Sequence, residues 1–358
     1  MSGAANNRLA WLDALRGLTI VLVVAGHVGR GMWASGRIDA PEYLQWDVAL
    51  YSFHGPLLFV LCGFTFHFST SRARFLDTWP RRLRKVLQPY VVWTVIAASL
   101  TFAMAHLVNR PMGTGEYILT VFGMVIWPYS IFWFLYVLAM CQMAAALLME
   151  RFGLGDRGLM ICALVGLGFG AVLRALFGPI DAFQVSMFFL MFFFFCWGKW
   201  LSTRTDHLTM PVLWLTGGLS VVCWWAIIQL GWGIDNLFGA FTGLCATTFL
   251  LALFRLGENI APRQALRGAV FLGLMSLEIY VMHHMAAGIF RIALGLAGVE
   301  TMWIHVVGGL IAGVMGPVIV AWMIGQVGLT GALGLTPRKA RTPKPKPESS
   351  ASKGHSIL

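Results

Sequence analysis

Charge is what this sequence has least of. Only 11% of its 358 residues are Asp, Glu, Lys or Arg, against about 25% for a soluble surface. That shortage excludes an array of soluble domains. Collagen, a coiled coil and a disordered chain are excluded with it, because 58% of the residues are hydrophobic and the mean hydropathy is +0.75. The chain also lacks CxxC pairs and His/Cys ligand spacing, so no zinc or other metal site is expected. Its six cysteines (Cys62, Cys141, Cys162, Cys196, Cys223, Cys245) all fall in apolar stretches, away from any loop where a disulfide forms. No aromatic and basic motif for nucleic acid is present. No internal repeat of the kind that builds inverted transporter halves is present either.

What is present is a series of apolar runs long enough to cross a bilayer, which takes roughly 20 residues. Ten are expected, at 9–28, 48–70, 86–108, 130–149, 157–177, 182–201, 211–230, 236–254, 269–290 and 302–328. The runs do not alternate, so they are helices rather than strands of a barrel. Asp13 and Arg16 interrupt the first of them, which speaks against a cleavable signal peptide. Of the 26 Lys and Arg residues, only Arg30, Arg37, Arg110, Arg174 and Arg291 fall in one set of alternate loops. By the positive-inside rule that set is external, and both termini are cytoplasmic. The formal charge of +11 is therefore a topology signal. The expected organisation is an all-α membrane domain over residues 1–330 and a disordered Pro/Lys/Ser-rich cytoplasmic tail over 331–358.

Ionisable residues inside a span are costly and mark function. At about 100° per residue, Asp13, Arg16 and His27 share one face of the first span, with His27 about 16 Å beyond Arg16. Asp13 and Arg16 form either a neutralising i,i+3 ion pair or part of a site. Arg81, Arg82, Arg84 and Lys85, ahead of Pro89 and Tyr90, serve either as a positive-inside anchor or as a phosphate-binding cluster, for which closely spaced guanidiniums are suited. The ninth span adds Ser276, Tyr280 and His283 on one face. Glu278 points elsewhere and is expected to pair with a basic residue on another helix, while His54 and His67 lie on different faces of the second span. The loop 29–47 offers Arg30, Trp33, Arg37, Asp39, Glu42 and Tyr43, a mixture that suits carbohydrate and equally an interfacial belt.

Five segments in order carry a resemblance. LDALRGLTIVLVVAGH (Leu12–His27), SFHGPLLFVLCGF (Ser52–Phe64), RRLRKVLQPY (Arg81–Tyr90), WFL (Trp133–Leu135) and Ser276 with YVMH (Tyr280–His283) are similar to the motifs of the type-3 acyltransferases. These are multispan enzymes that acylate sugars and other acceptors from acyl-CoA. The second segment resembles the branch acting on fucose and glucans. Cys62 stands where the family commonly has Ser, Gly55 where Met is common, and the basic motif aligns as Arg81/Arg84 or as Arg82/Lys85.

The resemblance implies that His27 is catalytic and that Arg16 supports the acyl donor. The chemistry is compatible, because a hydroxyl that attacks a thioester must lose a proton and imidazole is the usual group to take it. Asp13, Tyr280 and His283 are the further catalytic candidates; Arg81, Arg82, Arg84 and Lys85 join Arg16 as candidates for the donor site. The expected donor is acyl-CoA, acetyl ahead of succinyl, with no permanently bound cofactor. The expected acceptor is a sugar, glycan or glycolipid at the outer face of a bacterial inner membrane. A covalent acyl-histidine is the competing mechanism. The competing functions are a secondary transporter with an Asp13–Arg16–His27 relay and a non-catalytic part of a polysaccharide assembly.

Overall fold

Lipid offers backbone groups no hydrogen bonds, so a chain this apolar must satisfy them within helices. A computed structural model of the chain describes residues 9–70, 73–178, 182–230, 236–258 and 266–336. Among these residues it is all-helical, and ten helical segments are long and apolar enough to cross a membrane. In chain order the helices are α1 (Ala10–Ala34), α2 (Ala40–Tyr51), α3 (His54–Thr70), α4 (Phe75–Ala103), α5 (Thr114–Gly123), α6 (Trp133–Ala146), α7 (Asp156–Phe177), α8 (Val185–Leu201), α9 (Met210–Leu230), α10 (Leu237–Gly257), α11 (Arg267–Leu274), α12 (Ser276–Leu296) and α13 (Met302–Gln326).

The ten expected spans are all found, with three differences. First, α1 runs to Ala34 instead of 28 and ends on Gly36, at φ +68°. There the N–H groups of Gly36 and Arg37 donate to Trp33 and Met32, a glycine-dependent helix stop. Second, α4 begins at Phe75, so the basic residues lie on a helix and not in a loop. Glu150 makes that start possible, its carboxylate accepting the N–H groups of Phe75 (2.6 Å) and Leu76 (3.0 Å), a favourable place for an anion. Third, the expected ninth span is broken at Met275, between α11 and α12.

Helix α1 is the most buried of the ten, and α7, α9 and α13 are the least. It packs on α2, α3, α10, α11, α12 and α13, whereas α9 turns Trp214, Leu215, Val221, Val222 and Trp225 outward as a lipid-facing surface does. With no water to expel between helices in lipid, close backbone approach supplies the packing. Two glycine pairs provide it. A Cβ at Gly17 would overlap the carbonyl of Ala269, and one at Gly273 the carbonyl of Asp13, which locks α1 to α11. Gly63 and Gly198 stand in the same relation across α3 and α8, against the carbonyls of Phe195 and Val60.

The last described residues fold back under the bundle. Gln88 donates to the carbonyls of Gly331 (2.8 Å) and Ala332 (2.9 Å), and Trp93 Nε1 to that of Leu333 (3.1 Å). Glu278, 3% exposed, accepts the Thr336 N–H at 3.1 Å. Its expected basic partner is thus replaced by a backbone amide, and residues 331–336 belong to the packed body rather than to the tail. The remainder of the expected tail, 337–358, lies outside the described residues.

Candidate active site

His27 sits on the buried core helix, and three elements bring polar groups to it. Helix α2 delivers Tyr51, whose hydroxyl lies 3.0 Å from His27 Nδ1. Gly26 makes room for that ring, since a Cβ there would come within 3.1 Å of Tyr51 Cε2. Helix α12 delivers two histidines. The His283 ring stacks on His27 with centroids 5.0 Å apart, and the His284 ring meets it edge-on at 6.1 Å. The start of α3 delivers His54, edge-on to Tyr51 at 4.3 Å.

The hydrogen bonds fix what these groups can do. His283 Nδ1 faces the carbonyls of Tyr280 (2.7 Å) and Ile279 (3.1 Å). A carbonyl only accepts, so Nδ1 carries the proton and Nε2 is the lone-pair nitrogen. Nε2 is buried and has no hydrogen-bond partner among the described residues. His54 Nδ1 donates likewise to Leu50 at 2.5 Å. Tyr51 is held from the other side by Arg30, whose guanidinium carbon lies 3.1 Å from the ring centroid, a cation–π contact. Arg30 is aimed by Asp47 through a bidentate pair at 2.7 and 3.0 Å, and Tyr43 donates to the same carboxylate at 2.9 Å. Burial, reinforced by that carboxylate, pushes the Tyr43 hydroxyl up to about 12, so it remains a donor at any physiological pH. A chain of contacts therefore runs from Asp47 through Arg30 and Tyr51 to His27.

Within the cluster His27 is half-buried and His284 exposed, whereas His54 and His283 are buried.

The other residues singled out from sequence divide sharply. Tyr280 hydrogen-bonds through its hydroxyl to the Ile131 carbonyl and packs on Phe134 at 5.2 Å, so its one proton is directed away from His27. Asp13 and Arg16 form the i,i+3 pair at 3.2 Å, three to four turns below the imidazole on the same helix. Arg82 donates to Thr78 Oγ1 (2.6 Å) and to the carbonyls of Ser69 (3.0 Å) and Ala73 (3.1 Å), clamping the connection between α3 and α4. Arg84 reaches Gln88 at 3.2 Å. Arg81 and Lys85 are exposed on α4. The sequence does not single out Tyr51 or Asp47, and it marks Arg30 only as part of a loop that suits carbohydrate. The adjacent Gly26 is the local sign that a ring must lie against α1, but it names no partner.

Comparison with curated proteins and with solved structures gives no match. Residues 9–322, however, match the acyltransferase domain family Acyl_transf_3. That stretch begins at the N-terminus of α1 and ends near the close of α13, enclosing the whole histidine cluster, and the chain accordingly belongs to the type-3 acyltransferases, as a multi-pass membrane acyltransferase.

Proposed function

We propose that the protein transfers an acyl group from cytosolic acyl-CoA to a hydroxyl of a sugar or glycan at the outer face of a bacterial inner membrane, with His27 as general base. The observation that carries this is the His27–Tyr51 hydrogen bond beneath the stacked His283 ring. With Nδ1–H donating to Tyr51 Oη, His27 Nε2 keeps its lone pair and is held in one tautomer. Nε2 takes the proton of the acceptor hydroxyl as its oxygen attacks the thioester carbonyl. The tetrahedral carbon then releases the sulfur, the C–S bond breaks, and the imidazolium returns the proton to give free CoA thiol and the new ester. His283 Nε2, lacking a partner, is suited to accept a hydrogen bond from the acceptor and orient it.

Donor binding belongs to the opposite end of α1. Arg81, Arg84 and Lys85 present charge from an exposed face of α4 for the CoA phosphates. Arg82 supports the same face by holding the α3–α4 connection. Arg16, three turns before His27 on α1 and with 21% of its side chain exposed, is suited to pair with the donor while Asp13 holds it. Acetyl is favoured over succinyl because the second-helix motif resembles the glucan-acylating branch.

The test is reconstitution of the full chain in liposomes with acetyl-labelled acetyl-CoA on one side and a glycan extract on the other. The expected result is label in the glycan fraction matched by release of CoA thiol. Glycan left unlabelled with CoA intact sinks the proposal.

A further inference from the structure

Beyond His27, where α1 and α12 come to their ends, two arginines converge. The Arg291 guanidinium lies where a Cβ of Gly31 would be, and Arg37 Nη2 lies 3.5 Å from where a Cβ of Gly295 would be. Each cation is thus seated on a glycine of the opposite helix. The stop at Gly36 fixes the backbone of Arg37 through its N–H bond to Met32. The two guanidiniums are within electrostatic reach of each other, and neither has a carboxylate partner among the described residues. Arg30 nearby shows the contrast, being neutralised by Asp47.

Two like charges brought together without a counter-ion raise the energy of the fold, and an anion placed between them reverses that sign. Guanidinium pairs of this kind suit the paired oxygens of carboxylate or phosphate. Four residues before Arg37 in the chain, Trp33 stacks on Tyr43 at 5.0 Å with the planes 10° apart, and Trp33 is 48% exposed. That platform suits the apolar face of a sugar ring. Arg291 follows His284 by seven residues, two turns along the same helix face and about 10 Å away.

From this arrangement we infer that the acceptor is an anionic glycan, whose carboxylate or phosphate is held by Arg37 and Arg291 while a sugar ring rests on Trp33. The inference rests on the reading of the His27 cluster as an acyltransferase site acting at this end of the bundle, and it adds the acceptor's charge to that reading. The spacing further requires the acylated hydroxyl to lie on the charged residue or on its immediate neighbour.

The test begins with the glycan that loses an ester in cells lacking the protein. It is expected to be retained on an anion-exchange column, with the missing ester on or beside a charged residue. That glycan, purified without its ester, is then the acceptor for the full-length enzyme. The R37Q/R291Q variant should raise the acceptor KM about tenfold or more, remove its salt dependence and leave the KM for acetyl-CoA unchanged. The R37K/R291K variant should restore the salt dependence and part of the affinity. An ester missing from a neutral glycan overturns the inference and leaves the acyltransferase reading standing. No missing ester overturns both. A rise confined to the KM for acetyl-CoA, or an acceptor KM unchanged in the Gln variant, also overturns it, the first by making the arginines a CoA phosphate site.

Discussion

The two ends of α1 carry polar residues in different ways. At the Asp13–Arg16 end and on neighbouring α4, charges are either paired or used on backbone, as Arg16 is with Asp13 and Arg82 is with the Ser69 and Ala73 carbonyls, or they stand exposed as Arg81 and Lys85 do. Around His27 itself the contacting side chains are rings, with Nδ1 of His54 and His283 tied to backbone carbonyls, and the charges of this end stand around them as the Arg30–Asp47 pair and the converging Arg37 and Arg291. His283 Nε2 is left without a partner among the described residues. A buried polar atom without a partner costs about 1–3 kcal/mol, and on the proposed reading the acceptor supplies that partner. On the proposed reading the first end binds the donor and the second moves a proton.

Substitutions at the two ends should therefore differ in what they change, and the largest effect is expected at His27. His27→Ala should reduce acyl transfer by about 10²–10⁴-fold, the usual range for a lost general base. Membrane insertion and thermal stability should stay near those of the wild type. Undiminished turnover by properly inserted protein would remove the distinction between the two ends.

Tyr51→Phe comes next. It keeps the ring between Arg30 and His54 and deletes only the hydroxyl that holds His27 Nδ1. One hydrogen bond of about 0.5–1.5 kcal/mol corresponds to a fall in kcat of up to about tenfold, with the KM for acetyl-CoA unchanged. A change confined to KM would mean that Tyr51 binds donor instead of positioning the base.

The smallest effects separate neighbours on α4. Arg82→Gln should lower the melting temperature in detergent, because two backbone carbonyls lose a charged donor, a loss of about 1–3 kcal/mol. Lys85→Gln should leave melting unaltered and weaken protection by CoA. If the two variants behave alike, Arg82 is no more structural than its neighbour.

Much of this molecule is legible in its sequence. The helices follow from apolar length, and His27 is singled out as a candidate because its imidazole stands where lipid would otherwise be. The segments from Leu12 to His27 and from Tyr280 to His283 indicate the family. Other features are invisible because they depend on which helices touch. Nothing local announces that Glu150 caps α4, that Glu278 accepts the amide of Thr336, or that Tyr280 turns its hydroxyl to Ile131. Tyr51 reads as an ordinary aromatic at the end of a short helix, and only its seat against Gly26 brings its hydroxyl to His27. Arg30 and Arg37 are indistinguishable in sequence, yet one has Asp47 for a partner and the other faces Arg291.

By itself, then, the sequence determined the number of membrane helices, their approximate ends and the helix that bears the imidazole. Lipid withholds hydrogen bonds from the backbone, and that constraint is written in the length of each apolar run. The tertiary structure decided which atoms meet His27 and which cations keep their charge available. Those outcomes depend on helix rotation and on approach across glycine, where a single Cβ decides whether two side chains can touch.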